Sequence, residues 1–224
     1  MDKHSLLLEI FLKLRKVSTD SRLDVGNSIF FALSGENFDG NKFAKNAIEN
    51  GASLAVIDKE EFKIDDNYLV VDDVLLALQK LAHNYRKTLT TTILAITGSN
   101  GKTTTKELVY KVLASEKDVY ATKGNFNNHI GVPLSLLSIK DNTEIAIIEM
   151  GANHIGEIKT LCDITLPNFG IITNIGKAHL EGFGSFAGVI KAKSELYDSI
   201  KQGGGNIIVN NGLIFALGIW FITG

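Results

Sequence analysis

The sequence predicts an α/β protein, with a small N-terminal α/β domain followed by a doubly wound domain built on a mainly parallel sheet. Short apolar, β-rich runs alternate with helical patterns, and glycines mark the turns between them. The composition of the 224 residues, 45% hydrophobic and 21% charged, is that of a globular chain. Strands that are separated by helices pair in parallel through right-handed crossovers, so these patterns favour a doubly wound sheet.

The first domain is predicted at residues 1–88. Its opening helix has one apolar face, formed by Leu6, Leu7, Ile10, Phe11 and Leu14. The patterns then predict strands at residues 28–33, 53–57 and 68–71, and helices at residues 41–50 and 72–87. The last helix begins with acidic residues and ends with basic ones, which suits the helix dipole. A threonine-rich stretch follows and marks a boundary near residue 89.

The second domain is predicted at residues 89–210. Its strands are expected at residues 93–97, 118–122, 144–149, 169–173 and 206–210. Its helices are expected at residues 106–114, 131–137, 155–161 and 186–200. The first strand leads through a glycine-rich turn into the first helix, which is the arrangement of a phosphate-binding α/β domain.

Charge and cysteine content exclude several classes of function. Lys and Arg total 23 against 25 Asp and Glu, and a net charge of −2 provides no basic field for a nucleic acid. The single cysteine, Cys162, excludes a disulfide framework and is expected to be a small buried side chain. Glu9 interrupts the first apolar run, and the apolar run at residues 213–223 is too short to cross a bilayer. We therefore expect no signal peptide and no membrane span, and the single cysteine fits a reducing compartment.

The strongest chemical signal is the glycine-rich loop that consists of Gly98, Ser99, Asn100, Gly101, Lys102, Thr103 and Thr104. Its glycines let backbone amides turn toward one centre, Lys102 can reach terminal phosphates, and the Thr103 hydroxyl can bind Mg²⁺. The usual consensus has a further glycine where this chain has Ile96, so the loop is a shorter variant. The alternative is a simple glycine turn with an exposed lysine. The strand before the loop and the helix after it favour nucleotide binding.

Other candidate residues follow the later strands of the second domain. Glu149 ends an apolar run and can hold Mg²⁺ opposite Thr103, or it is a strand-end glutamate in solvent. His179 follows the next strand and is either a site residue or an ordinary polar loop residue. Since parallel strands end at one edge of a sheet, the ends of these strands are the expected place for a site.

Two further groups of polar residues have both a functional and a structural interpretation. Asn125, Asn127 and Asn128 stand just before a predicted helix, and helix capping explains one or two of them but not all three. Lys191 and Lys193 lie on a predicted helix whose default interpretation is a solvated face. Spacing alone does not choose between these two lysines.

Together these motifs resemble the Mur ligase family over residues 18–210. The resemblance is carried, in order, by TDSR, FFALSGENFDG, AIENGA, TGSNGKTT, GNFNNHIGVP, EMGANHIGEI, TNIGKAHLEGFGS and KAKSEL. Within the family, the pattern NxNNxIGxP followed by EMGANHxGEI is most similar to the members that add D-alanyl-D-alanine.

The resemblance implies an ATP-dependent amide ligase of peptidoglycan synthesis, acting in the cytoplasm as a monomer. The implied substrates are UDP-N-acetylmuramoyl-tripeptide and D-alanyl-D-alanine, with ATP and Mg²⁺ as cofactors. In this family the peptide carboxylate attacks the γ-phosphate to give an acyl phosphate, and the amine then displaces phosphate. Positioning and charge neutralisation carry such phosphoryl transfer.

The resemblance also implies roles for individual residues of the second domain. Lys102 would stabilise the migrating phosphoryl group, and Thr103 and Glu149 would bind the first Mg²⁺. His179 would serve a second metal, and Lys193 would be the lysine that is carbamylated to a metal ligand, with Lys191 as the alternative.

Substrate contacts are implied in both domains. Ser21, Arg22 and Asn37 would hold the uridine diphosphate end of the substrate in the first domain, although TDSR is also an ordinary turn sequence. The three asparagines, Asn125, Asn127 and Asn128, would face the substrate near the phosphate loop.

The end of the chain departs from the family pattern. Residues 211–224 form an apolar tail without resemblance to the family, and we expect the central domain to be incomplete and the C-terminal ligase domain to be absent. Two alternatives to an active ligase therefore stay open. One is a non-catalytic remnant that binds nucleotide or UDP-substrate, and the other is a different enzyme on the same loop, such as a folylpolyglutamate synthase-like ligase or a GTPase.

Overall fold

The structure is a computed structural model that describes residues 2–176 and 180–209. The chain forms two compact units, Met1–Lys87 and Thr88–Gly224. Each unit has its own sheet and its own apolar core.

The first unit contains a parallel sheet and a small antiparallel hairpin. Its strands are β1 (Val17–Ser18), β2 (Ile29–Phe31), β3 (Ser34–Gly35), β4 (Phe38–Asp39), β5 (Leu54–Ile57) and β6 (Tyr68–Val70). The parallel sheet has the order β1-β2-β5-β6, while β3 and β4 pair with each other. All residues of β2 and β5 are buried, as expected for strands covered on both faces.

Three α-helices belong to this unit: α1 (Lys3–Leu14), α2 (Ala44–Glu49), which follows a 3₁₀ turn at Gly40–Phe43, and α3 (Val74–Thr88). Helix α1 starts at Asp2, whose carboxylate accepts hydrogen bonds from the His4 and Ser5 amides. It is fixed by Phe11, which is fully buried and meets Tyr85 of α3 edge to face with ring centroids 4.9 Å apart.

The second unit contains a five-stranded parallel sheet within the described residues. Its strands are β7 (Thr92–Thr97), β8 (Val119–Ala121), β9 (Ile145–Glu149), β10 (Phe169–Ile172) and β11 (Asn206–Ile208), in the order β11-β10-β7-β9-β8. The helices are α4 (Lys102–Leu113), α5 (Gly131–Leu137), α6 (Glu157–Thr165), α7 (Leu180–Phe183) and α8 (Phe186–Gln202).

The register of this sheet places three strand ends side by side. Ile96 of β7 pairs with Glu149 of β9, and Thr97 pairs with Ile172 of β10. Strands β8 and β9 lie on one side of β7, and β10 and β11, which follow them in the chain, lie on the other side. The strand order therefore reverses direction at β7, which makes this the topological switch point of the sheet. Ligands of open α/β sheets bind at such a point, outside the carboxyl ends of the strands.

The predicted α/β class with parallel sheets is confirmed, and most predicted elements lie close to their expected positions. The main differences are local. Helix α4 begins at Lys102, four residues before the helix expected at residues 106–114, because Gly101 adopts a φ of +76° and starts the helix directly after the loop. Strand β1 and the β3–β4 hairpin were not expected, because each strand is only two residues long. The apolar tail at residues 211–224 lies outside the described residues.

No α-helix in the described residues combines the length and the apolar character needed to cross a membrane.

Candidate functional site

The glycine-rich loop connects β7 to α4 at the switch point of the sheet. Gly98 has a φ of +149°, and a Cβ atom on it would lie 2.0 Å from Thr173 Oγ1. Only glycine fits there, since any side chain would collide with the segment that follows β10. Gly101 is the N-cap of α4 and makes no side-chain cap hydrogen bond, and the first-turn amides of a helix have no intrahelical partners. The loop therefore presents the positive end of α4.

The loop is held in place by the segment at residues 173–176. The Asn174 backbone carbonyl accepts the Ser99 amide at 3.1 Å, and the Asn174 side-chain oxygen accepts the Asn100 amide at 2.9 Å. Thr173 Oγ1 donates to the Asn100 carbonyl at 2.6 Å. The backbone amides of Ser99 and Asn100 thus donate to Asn174 and are not available to a phosphate group. The amides at the start of α4 are left as the candidate donors to phosphate.

Lys102 folds back onto the loop that carries it. Its Nζ donates to the Gly98 carbonyl at 2.8 Å, and its side chain is half-buried. This contact neutralises none of the lysine charge, so the ammonium group stays available for an anion that approaches the loop.

Glu149 is the centre of a buried hydrogen-bond network. Only 2% of the residue is exposed. Its Oε2 accepts the Thr103 hydroxyl at 2.9 Å, and its Oε1 accepts the Asn127 side-chain amide at 2.9 Å. The alternative of a strand-end glutamate in solvent is therefore wrong, because β9 is an inner strand and α4 covers its end.

Lys106, on the second turn of α4, is a member of this network that the sequence did not reveal. It is 1% exposed, and its Nζ donates to the Thr122 carbonyl at 2.7 Å. The same Nζ lies 3.2 Å from Glu107 Oε1 and 3.9 Å from Glu149 Oε2. Removing a buried charge from water is costly, and these oxygen partners offset that cost.

A cleft of about 520 Å³ opens in front of the loop. The loop contributes Gly98 and Lys102, and α8 contributes Lys193. Residues 127–129 and residues 151–153 form other parts of its lining, together with the first turns of α6. The cleft therefore joins cationic, amide and apolar groups at the carboxyl edge of the sheet.

The three asparagines have different positions. Asn127 binds Glu149 and lines the cleft. Asn128 also lines the cleft, but its side-chain oxygen accepts the amides of Ile130 and Gly131 and so caps the start of α5. Asn125 is exposed and does not belong to the cleft lining. Capping thus explains one of the three residues, and binding to Glu149 explains another.

The structure distinguishes Lys193 from Lys191. Lys191 is exposed, whereas Lys193 is 2% exposed, lines the cleft and lies with its Nζ 5.5 Å from the centre of the Phe183 ring. Burial, with a further contribution from the positive charge of Lys102, lowers the pKa of Lys193 to about 8. The solvated-face interpretation is therefore wrong for Lys193 and correct for Lys191.

Two carboxylates organise the loop between β9 and α6. Glu157 Oε2 accepts the amides of Asn153 and His154, and Glu157 Oε1 lies 3.1 Å from His154 Nδ1. Partial burial acts to raise the pKa of Glu157, but these hydrogen bonds outweigh it, and the pKa lies below its usual value. Glu195 of α8 accepts the amides of Gly156 and Lys159. Neither glutamate was singled out as a site residue from the sequence, although Glu157 lies within EMGANHIGEI and Glu195 within KAKSEL.

The first unit has a separate pocket of about 510 Å³, whose lining includes Ser21 and Arg22. Ser21 is buried, while the exposed Arg22 binds the Asp20 carboxylate at 2.7 Å and holds the pKa of Asp20 at about 2. Phe38 and Phe43 also line this pocket, with stacked rings 5.2 Å apart. Asn37 is exposed and does not contribute to the lining.

The sequence also singled out His179 and Cys162. His179 lies outside the described residues. Cys162 is buried as expected, and burial raises the pKa of its thiol to about 12, so it stays protonated and unreactive.

Thr103 and Glu149 fit a magnesium ion by their chemistry. A hydroxyl and a carboxylate are hard oxygen ligands, and here they already lie within 2.9 Å of each other beside the phosphate loop. Magnesium typically uses one or two protein oxygens and completes its shell with phosphate oxygens and water. Within the described residues there is no cluster of three or more His, Cys, Asp or Glu side chains that could hold a metal.

The parallel sheet and the loop between β7 and α4 define the second unit as an α/β domain with a glycine-rich phosphate loop. Comparison with known families identifies the chain more closely. It belongs to the Mur ligase family: residues 96–215 match the Mur ligase middle domain, and residues 13–86 match the model described as the Mur ligase family, catalytic domain. The resemblance inferred from the sequence motifs is confirmed.

Similar curated proteins are named UDP-N-acetylmuramoyl-tripeptide–D-alanyl-D-alanine ligase. The Haemophilus influenzae protein is 44% identical over 201 residues, which are 88% of this chain and 44% of that protein. The Bacillus subtilis protein is 43% identical over 190 residues, 84% of this chain and 42% of that protein. The chain thus spans less than half the length of these relatives.

Solved structures of MurF proteins are also similar to this chain. MurF from Acinetobacter baumannii superposes with a TM-score of 0.80 at 36% identity, over 92% of this chain and 46% of that chain. MurF from Thermotoga maritima, solved in complex with ADP, superposes with a TM-score of 0.81 at 31% identity, over 96% of this chain and 49% of that chain.

Replacing Lys106 with Met is expected to lower the free energy of unfolding by about 3–5 kcal/mol, because it leaves the buried Glu149 carboxylate without its cation. Lys111→Met, at an exposed position of the same helix, is the control and is expected to change stability by less than about 0.5 kcal/mol. Urea unfolding followed by circular dichroism measures both. Adding Glu149→Gln to the Lys106→Met variant is expected to recover part of the loss. If Lys106→Met and Lys111→Met had equal free energies of unfolding, Lys106 would not balance the charge of Glu149.

Proposed function

We propose that this chain carries the nucleotide site and the UDP-substrate site of an ATP-dependent ligase that joins D-alanyl-D-alanine to UDP-N-acetylmuramoyl-tripeptide. The observation that carries this proposal is the placement of Lys102 and the buried Lys193 in one cleft, beside the phosphate loop and the Glu149 network. The names of the relatives, at 40–44% identity, support the substrate assignment.

In this proposal the triphosphate of ATP lies at the start of α4. The amides of its first turn and the helix dipole attract the phosphate oxygens, and Lys102 exchanges the Gly98 carbonyl for the terminal phosphate. Binding of an anion here needs no large movement of the loop, because residues 173–176 already hold it open.

Thr103 and Glu149 are the proposed magnesium ligands. A bound magnesium ion would neutralise charge on the phosphates. Asn127 holds one oxygen of Glu149, and Lys106 balances the charge of the other, so the carboxylate is oriented toward the loop before any ligand arrives. His179 stays a predicted ligand of a second metal.

The proposed chemistry is in-line phosphoryl transfer followed by acyl transfer. The carboxylate of the UDP-linked tripeptide attacks the γ-phosphorus of ATP, which gives an acyl phosphate and ADP. The amine of D-alanyl-D-alanine then attacks the acyl carbon, loses a proton and displaces inorganic phosphate. The part of the protein is to align these groups and to neutralise the negative charge, which Lys102 and the start of α4 are placed to do.

Lys193 is the proposed site of carbamylation. Addition of CO₂ to a lysine requires the neutral amine, and burial in the cleft favours the neutral form. The amine nitrogen would bond to the CO₂ carbon and release one proton, and the resulting carbamate would be an anionic oxygen ligand on a buried side chain of the cleft lining.

Substrate recognition is proposed for both units. Asn127 and Asn128 line the cleft of the second unit, and Ser21 and Arg22 line the pocket of the first unit, where the uridine diphosphate end of the substrate is proposed to bind. Asn37 and Asn125 are weaker candidates, since neither lines a pocket. The compartment we propose is the cytoplasm.

Calorimetric titration of this chain with ATP and Mg²⁺, and separately with UDP-N-acetylmuramoyl-tripeptide, tests the proposal. We expect both ligands to bind. A phosphate-release assay with all substrates then distinguishes a ligase from a binding module, which would bind without releasing phosphate. Tight binding of a folate in place of the muramoyl substrate, or binding of neither ligand, would contradict the assignment.

Replacing Lys102 with Ala is expected to weaken ATP binding by roughly 10- to 150-fold, because a charge-assisted contact to phosphate contributes about 1.5–3 kcal/mol. The fold is expected to persist, since the side chain is only half-buried and its hydrogen bond is to the Gly98 carbonyl of its own loop. Lys111→Ala on the same helix is the control and leaves the affinity unchanged. If calorimetry gives the same affinity for Lys102→Ala as for the parent chain, the phosphate-loop assignment is wrong.

Carbamylation of Lys193 is open to direct observation. With ¹³C-labelled bicarbonate and Mg²⁺, we expect a carbamate carbonyl signal in the NMR spectrum of the parent chain that is absent from Lys193→Ala. The exposed Lys191 provides the matched control, and Lys191→Ala should keep the signal. A signal that disappears in Lys191→Ala and persists in Lys193→Ala would reverse the choice between the two lysines.

A further inference from the structure

Helix α6 begins without a capping side chain of its own. Its N-cap is Gly156, in the left-handed conformation with a φ of +93°, and no side-chain cap hydrogen bond is formed at that position. The first amides of a helix need partners, so such a start requires an acceptor from elsewhere in the fold.

Glu195 of α8 provides this acceptor. Its Oε1 accepts the Gly156 amide at 2.6 Å, and its Oε2 accepts the Lys159 amide at 3.0 Å. These amides occupy the N-cap and N3 positions of α6. They are the same two positions that a capping box satisfies within one segment, but here a single carboxylate from another helix satisfies both. Its negative charge also complements the positive end of the α6 dipole.

The segment that Glu195 holds forms one wall of the cleft. Asn153, Glu157 and Thr160 all line the cleft and belong to the loop or to the first turn of α6. Within this wall, Glu157 binds the amides of Asn153 and His154. The two glutamates therefore form consecutive connections. Glu157 bonds the loop to the start of α6, and Glu195 bonds the start of α6 to α8.

Helix α8, which provides Glu195, also carries Lys193. This lysine and Glu195 lie two residues apart on α8, which corresponds to about 200° around a helix. Lys193 reaches the cleft, while Glu195 reaches α6. The distance between Lys193 and the wall formed by residues 153–160 therefore depends on the bonds that Glu195 makes.

We propose that Glu195 is a positioning residue for the cleft wall formed by residues 153–160. Its hydrogen bonds fix the distance between this wall and Lys193. This inference rests on the proposed function, in which that cleft receives the UDP-linked peptide. The phosphate loop is fixed by different contacts, those with residues 173–176. Loss of Glu195 should therefore impair binding of the peptide substrate and spare binding of the nucleotide.

Glu195→Gln is the main test, because Gln keeps the shape of the side chain but has one acceptor oxygen for two amides. On this chain we expect the affinity for UDP-N-acetylmuramoyl-tripeptide to fall about tenfold, while the affinity for ATP with Mg²⁺ stays within about twofold. Asp198→Asn, at an exposed carboxylate three residues further along α8, is the matched control and should change neither affinity.

A second control separates positioning from plain helix stability. Ser185 caps α8 by accepting the Gly188 amide, so Ser185→Ala also removes a helix cap. It should lower the melting temperature by an amount similar to that of Glu195→Gln without changing the affinity for the peptide substrate. An equal loss of substrate affinity in both variants would overturn the proposal, as would a parallel loss of ATP affinity in Glu195→Gln.

Amide hydrogen exchange gives a readout that needs no ligand. Glu195→Gln is expected to accelerate exchange at Asn153 and His154, which Glu195 does not touch, as well as at Gly156 and Lys159. Faster exchange at Gly156 and Lys159 alone would show a local cap and would overturn the inference. If the parent chain does not bind the peptide substrate, the proposed function fails in the parent itself, and that failure is distinguishable from unchanged exchange in the variant.

Discussion

The phosphate loop keeps its shape because it is bonded to the segment that follows β10. Asn174 accepts two loop amides, and Thr173 donates to a loop carbonyl. These bonds form only when β7 and β10 are neighbours in register, since Thr97 pairs with Ile172 and both segments leave the sheet together. The parallel pairing of two strands more than 70 residues apart is thus the constraint on which the site depends. It fixes where the amides of α4 point, and so which side of the sheet can receive an anion.

Charge at the site is arranged in two layers. Buried beneath the loop, Lys106 and Glu149 neutralise each other in part. Glu149 accepts hydrogen bonds from the Thr103 hydroxyl and the Asn127 side-chain amide, and Lys106 donates to the Thr122 carbonyl. At the cleft, Lys102 and Lys193 bring two positive or ionisable nitrogens to one space. A buried ion pair seldom adds net stability, but it holds its members in a defined geometry, and here that geometry orients a candidate metal ligand. The free energy that is lost by burying Lys106 and Glu149 is therefore the cost of holding the Glu149 carboxylate in place before a ligand binds.

The sequence predicts the loop and its strand–turn–helix setting well, because glycine spacing and local periodicity lie within a short window. It fails where burial depends on distant packing. Helical spacing places Lys193 on the face of Val189, Leu196 and Ile200 and places Lys191 on another side, but a lysine within an apolar face does not reveal that packing buries it beside Phe183 and the cleft. Lys106 is hidden for the same reason. The short strand β1 has too few residues to show an alternating pattern, and the threonines after Lys102 are poor helix formers that obscure the true start of α4.

Helix α8 connects these observations. A helix that only covered a sheet would need apolar residues on one face, and α8 has them in Val189, Leu196 and Ile200. It also carries a buried lysine toward the cleft and a carboxylate toward α6, on different sides of its axis. Because a helix is stiff over two residues, the positions of these two groups are linked. Any displacement of α8 relative to the sheet would move Lys193 and the α6 wall together, so the cleft changes as one body rather than as separate walls.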